Sequence, residues 1–297
     1  MLLICLIIML IYMSNILVTG SNGQLGLEIQ SISANFKNNT YYFCNRLELD
    51  ITNAEEVEIF IVKNNINVIV NCAAYTAVDL AEDEFEKANL INNIAVANLA
   101  IIVNKLSLKL VHISTDYVFN GTNSIPYTEV DKTAPIGVYG STKFEGEKAL
   151  LKINPDNSVI VRTAWVFSSF SNNFVKTMLR LGKERDELGV ICDQIGSPTY
   201  AKHLAKTILL LLPKIENKNT EILHYTNEGV CSWYDFAKAI FEIKNIPCVV
   251  NAISSSDYPT KAKRPHYSVL SKEKIKEKYN INVPYWKDAL KECLKEL

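Results

Sequence analysis

Short apolar runs bounded by turn residues alternate with helical periodicity through the first two-thirds of the chain. Ile16-Leu17-Val18, Tyr41-Tyr42-Phe43, Val68-Ile69-Val70, Leu110-Val111-His112-Ile113 and Val159-Ile160-Val161 read as strands. Between them, apolar positions recur at helical spacing. They predict helices over Gln24 to Ser33, about Ala54 to Lys63, Asp83 to Asn104 and about Val138 to Leu151. This alternation predicts parallel strands joined by right-handed crossovers, an α/β doubly wound sheet. After Trp165 the pattern loosens. Val190-Ile191 and a helix from Lys202 to Leu212 fit a return to the sheet. Phe167 to Gly189 and Ile222 to Leu297 read instead as Pro-bearing loops and short helices of a smaller lobe over the strand ends.

The first twelve residues, Met1 to Tyr12, break the pattern. They are apolar but far short of the ~20 residues a spanning helix needs. They also lack the basic start and small-residue cleavage site of a signal peptide. Met13-Ser14-Asn15 leads straight into the first strand, so Met13 reads as the natural start and 1–12 as an upstream extension. A membrane-associating N-terminus is the alternative reading.

Composition narrows the classes. With 297 residues, 48% hydrophobic and 21% charged, the chain can bury one large α/β core with an appended lobe. A net charge of -1 without a basic stripe speaks against a nucleic-acid partner. Seven scattered cysteines and four scattered histidines form no metal-ligand spacing. They fit a reducing cytoplasm and no structural zinc.

Gly20-x-x-Gly23-x-x-Gly26 lies between the first strand and the first helix, where a Rossmann sheet holds a dinucleotide. Gly20 permits the tight turn, Gly23 the approach of a pyrophosphate, and Gly26 the packing of helix on sheet. Gly20, Asn22, Gly23, Gln24 and Leu25 are therefore candidate cofactor contacts, helped by the helix N-terminus. The second strand ends Cys44-Asn45-Arg46 without the acid that would bind a ribose and repel a 2′-phosphate. Arg46 can pair with such a phosphate, which favours NADPH, with NADH as a second cofactor. Asp50 and Ile51 fall where an adenine would lie. Ala73, Ala74 and Tyr75, just past the third strand, fall where the ribose and nicotinamide would approach. The expected organisation is a dinucleotide-binding domain over 13–165 and a mainly substrate-binding lobe over 166–297, with about 189–213 returning to the sheet.

Tyr139 and Lys143 stand four apart on a helix and so share a face. A free phenol titrates near ~10, and a neighbouring ammonium would lower that value. The pair reads as a tuned proton donor. Ser114, Thr115 and Asp116 end the fourth strand at the same edge of the sheet, where Thr115 can hydrogen-bond a substrate carbonyl or simply cap a turn.

Together the glycine turn, Ser114 to Phe119 and Tyr139-x-x-x-Lys143 resemble the extended short-chain dehydrogenase/reductases. Asn71 to Asp79, Arg162 to Phe167, Asp193 to Thr199 and Arg264-Pro265-His266 narrow the resemblance to the dTDP-4-dehydrorhamnose reductases, from about Asn15 to the C-terminus. The resemblance implies a cytoplasmic enzyme, monomer or homodimer, that reduces the C4 ketone of a dTDP-sugar. It implies that Tyr139 donates the proton, Lys143 holds the nicotinamide ribose, and Thr115 binds the carbonyl. Asp116 and Trp165 would contact the sugar, and Arg264 the nucleotide diphosphate or an interlobe salt bridge. Some members of that family use Mg²⁺ through glutamates. Glu292 and Glu296 form no recognisable motif for it, so no metal ligand is assigned. Two alternatives stay open: a sugar-nucleotide epimerase or dehydratase, and a non-catalytic subunit like the regulatory β subunit of methionine adenosyltransferase.

Overall fold

The computed structural model describes residues 14–297, so the apolar run 1–12 lies outside the described residues. In chain order the sheet domain begins β1 (Ser14–Thr19), α1 (Gln24–Ile32), β2 (Asn39–Cys44), α2 (Ala54–Lys63) and β3 (Val68–Asn71). It continues with α3 (Phe85–Leu106), β4 (Lys109–Thr115), α4 (Val138–Ile153) and β5 (Ser158–Thr163). Then follow α5 (Phe174–Glu184), β6 (Glu187–Ile191), α6 (Ala201–Leu211), β7 (Glu221–His224), α7 (Trp233–Lys244) and β8 (Val249–Ile253). The chain closes with α8 (Glu273–Tyr279) and α9 (Trp286–Lys295).

Six strands form one parallel sheet in the order β7-β5-β4-β3-β1-β2. Every residue of β3 and β5 is buried, which is why those strands read as nearly unbroken apolar runs. Alternate side chains feed two cores. Ile16, Val18, Val70 and Val161 pack under α1 and α6, with Leu204 and Ile208 above them. Leu17, Ile69, Leu110 and Ile160 face α2 and α3 through Val57, Ile61, Leu99 and Val103. α2 starts where it does because the Asn53 side chain accepts from Glu56 N–H, with Glu55 and Glu56 in the first turn.

Two segments depart from the pattern-based expectation. Ile222-Leu223 belongs to the central sheet, as edge strand β7 paired with β5, and not to the lobe. α8 follows it, burying Ile275 and Tyr279 in the α1/α6 core. Val190-Ile191 instead joins the lobe, in β6, which pairs in parallel with β8. The alternating burial of Glu187 to Val190 suits such a one-sided ladder. α6 does pack on the sheet domain, against α1. The lobe has its own core of Val175, Phe236, Ile240, Leu290 and neighbours.

Candidate active site

β2 and β3 lie on opposite sides of β1, so the crevice past the carboxyl ends of β1 and β3 is the topological switch point of the sheet. Gly20 turns the chain there with φ +64°, and a Cβ on it would sit 2.7 Å from the Ala73 backbone. Glycine is needed for both reasons. Gly26 is needed for a reason other than the expected one. Its Cβ would strike Ser21 Cα at 2.6 Å and Gly20 O at 2.7 Å, so it lets the turn fold onto the helix rather than the helix onto the sheet.

A cavity of about 660 Å³ runs along this edge. One wall contains Gly20, Gly23, Gln24, Leu25, Arg46, Asp50 and Ile51, then Ala73, Ala74 and Tyr75. Its far end contains Thr115, Asp116, Tyr139, Lys143 and Trp165. Asn22 and Arg264 are not among the lining residues: Asn22 is exposed on the turn. Arg264 grips Asp79 through both nitrogens, at 2.6 and 3.2 Å, and the pair ties the loop after β8 to the loop after β3. That guanidinium holds the Asp79 carboxyl below its usual range. Arg46 is mostly exposed and pairs with Asp50 at 3.2 Å, a loose contact that a phosphate could replace.

α4 starts under the carboxylate of Glu82, which accepts from Val138 N–H at 2.9 Å. Lys143 is buried on the face toward β4. Its Nζ donates to the Ile113 carbonyl at 2.6 Å and lies 3.4 Å from His112 Nε2. One turn further, Glu147 would be its natural helical partner. That carboxylate is already filled: Arg162 donates at 2.6 and 3.0 Å, and Ser114 Oγ at 2.5 Å. Lys143 is therefore left facing the cavity. Burial lowers its pKa to about 8, against the pull of Glu147.

The expected lowering of the Tyr139 phenol by Lys143 is not realised here. Burial pushes that phenol up to about 12, opposed by a hydrogen bond with Thr115 and helped by the Asp116 charge; the ammonium instead donates to Ile113 and lies against His112. Tyr117 meets Tyr139 edge-on at 5.4 Å. Thr115 caps a turn, one of its two expected roles, and also stands at the cavity. It caps the turn by accepting from Tyr117 N–H, and it lines the cavity while donating to Asp116 Oδ1 at 3.1 Å. Asp116 Oδ2 is buried with no partner, and burial raises this carboxyl to about 6. Gln24 Oε1 is likewise buried and unpartnered. Both residues line the cavity, and a buried oxygen without a partner is one that a ligand's donor would satisfy.

Several contributors were not singled out from the sequence. Asn92, fully buried in the π turn Leu90–Ile94 of α3, clamps the Tyr75 backbone by accepting from its N–H at 2.9 Å and donating to its carbonyl at 3.1 Å. π turns of this kind often mark functional positions. Trp165 adopts φ +50°, rare for a bulky residue. It is held there by Trp233, stacked at 3.6 Å, and by Gly196, where a Cβ would reach within 2.6 Å of the indole.

A model of the family described as RmlD substrate binding domain matches residues 13–297. A dTDP-4-dehydrorhamnose reductase of Aggregatibacter actinomycetemcomitans is 44% identical over 94% of this chain and 98% of its own. The chain belongs to the dTDP-4-dehydrorhamnose reductase family. Among solved structures, a dTDP-4-dehydrorhamnose reductase from Clostridium acetobutylicum superposes with TM-score 0.89 at 43% identity, over 95% of this chain and 98% of its own. The Bacillus anthracis dTDP-4-dehydrorhamnose reductase, in complex with NADP, superposes with TM-score 0.91 at 38% identity, over 96% and 100%.

In this reductase-family chain, the segment from Asp193 to Thr199 acts as a brace for the cavity. Asp193 accepts from Ser255 N–H, Ser197 Oγ donates to the Gly229 carbonyl, and Thr199 N–H donates to the Trp165 carbonyl. Glu292 takes His203, Glu296 takes Lys202, Tyr200 and Ser169, and no three metal-binding side chains converge among the described residues.

Proposed function

We propose that this protein reduces the C4 ketone of dTDP-4-dehydro-6-deoxy-L-mannose to dTDP-L-rhamnose with NADPH, the closing step of dTDP-L-rhamnose synthesis. One observation carries the reading: in a chain of this family, a single cavity joins the Gly20 turn to Thr115, Asp116, Tyr139 and Lys143. The turn and the α1 N-terminus suit a pyrophosphate, and the orphaned Gln24 oxygen suits a cofactor donor. Arg46 suits a 2′-phosphate. When bound, the reduced nicotinamide supplies the hydride.

The chain's own residues supply the rest. Tyr139, held protonated at neutral pH by its raised pKa, donates its proton to the C4 oxygen. The alkoxide formed there is a stronger base than a phenolate, so the transfer runs downhill. Such general acid catalysis is worth about 10²–10⁴-fold. Thr115 orients the carbonyl with its hydroxyl. Lys143 offers an ammonium proton to the ribose side of the cavity. Asp116 Oδ2 accepts from a sugar hydroxyl, and Trp165 walls the sugar ring. Arg264, off the cavity, braces the loop over it through Asp79.

The test supplies NADPH and the dTDP-4-keto sugar to the purified protein, follows cofactor oxidation and identifies the sugar formed. dTDP-L-rhamnose is the expected product. An absence of turnover, or a C4 epimer as product, would overturn the proposal.

A further inference from the structure

Thr19, Asn71 and His112 stand in one cross-strand row on β1, β3 and β4, at 0%, 1% and 0% exposure. Two residues back on the same face, the row Leu17, Ile69 and Leu110 is wholly apolar. The polar row is thus an exception inside the sheet, and buried polar groups persist where they are satisfied. Here they satisfy one another. The Asn71 amide lies 2.6 Å from Thr19 Oγ1 and 3.0 Å from His112 Nδ1, and His112 Nε2 lies 3.4 Å from Lys143 Nζ.

The lysine decides the sense of this chain. An ammonium has protons to give and no lone pair to offer. His112 Nε2 must then meet it as an acceptor, and the proton of the neutral ring sits on Nδ1. As placed, Asn71 turns its oxygen to Thr19 Oγ1 and its NH₂ to Nδ1. The two ends of an amide are told apart only by their neighbours, and the ammonium requires the amide turned over, oxygen toward Nδ1 and NH₂ toward Thr19. Lys143 gives one proton to the Ile113 carbonyl and one to His112, which leaves the third for the cavity.

We propose that His112, backed by Asn71 and Thr19, is a positioning residue for Lys143, accepting from its ammonium and aiming its free proton into the cavity. This rests on the reading of Lys143 as part of the reductase site. The titratable groups facing that ammonium are Glu147 from its own helix, the Cys72 thiol past β3 and His112 on β4. Glu147 is itself neutralised by Arg162 on β5. Burial and the nearby ammonium hold His112 well below its ordinary pKa, which keeps it able to accept.

The first test is independent of turnover. Long-range proton–nitrogen NMR on the wild-type protein, with His112→Gln to assign the signal, reads the tautomer. The Nδ1–H form is expected, and an Nε2–H or doubly protonated ring would overturn the proposal. The second test is the pH profile of kcat/KM. Without its acceptor the ammonium is less favoured, so the basic limb of His112→Leu should move toward acid by about one pH unit. His112→Gln, which keeps an acceptor, should recover most of that shift. A His112→Leu profile superimposable on wild type would overturn the proposal, and if that variant does not fold the tautomer decides. If wild type itself shows no turnover, the proposed function fails while the tautomer still tests His112.

Discussion

Asp116 and Glu147 are both carboxylates almost wholly removed from water, and the protein treats them in opposite ways. Glu147 is closed: Arg162 grips both oxygens and Ser114 adds a third donor. Asp116, in the cavity wall, is open: one oxygen takes Thr115, and the other has no hydrogen-bond partner. A closed buried charge is scaffolding, and here it also keeps Glu147 from capturing Lys143. An open one costs stability until something donates to it. Site and scaffold are thus distinguished by the unfilled oxygen, not by burial.

The largest effect should come from opening the closed pair. Arg162→Met leaves Glu147 buried and uncompensated, and urea unfolding should show a loss of about 3–5 kcal/mol. Adding Glu147→Leu should return much of it. A harmless single variant would mean that the pair does not hold α4 to β5.

Next is the open carboxylate. Its folded pKa of about 6 lies above the ordinary value of 3.8. Asp116 therefore costs nothing below the ordinary value, and its penalty grows as pH rises through about 6. Asp116→Asn should be more stable than wild type by roughly 1–3 kcal/mol near pH 8, with no gain near pH 4. Thermal melts across that range give the answer. The same variant should raise KM for the sugar nucleotide. A gap that does not change with pH would erase the distinction from Glu147.

The smallest effect on stability belongs to the exposed pair of Arg46 and Asp50. Arg46→Ala should change stability by less than about 1 kcal/mol. It should nevertheless cost roughly tenfold or more in the preference for NADPH over NADH, measured as the ratio of the two kcat/KM values. An unchanged ratio would place the source of cofactor choice elsewhere.

What could be read from the sequence follows from what is local. β1, β3, β4 and β5 show as apolar runs because a parallel sheet buries both faces of its inner strands, and the Gly20 turn shows because its conformation demands glycine. Tyr139 and Lys143 share a face through helical spacing alone. β7 was obscured because only Ile222 and Leu223 are apolar in it, and its partner β5 lies about sixty residues back. β6 has the apolar character of a sheet strand, and only its distant pairing with β8 assigns it to the lobe. The spending of the Lys143 ammonium on Ile113 and His112 depends on register across strands, which no single segment carries. The φ of Trp165 is likewise set by Trp233 and Gly196, both from the lobe.

The central claim is that Tyr139 protonates the oxygen made by ketone reduction. A single-turnover experiment with Tyr139→Phe, NADPH and the dTDP-4-keto sugar tests it most directly. The account predicts a chemical step slowed by about 10²–10⁴-fold, with binding of cofactor and sugar nucleotide close to wild type. Turnover at the wild-type rate would contradict it.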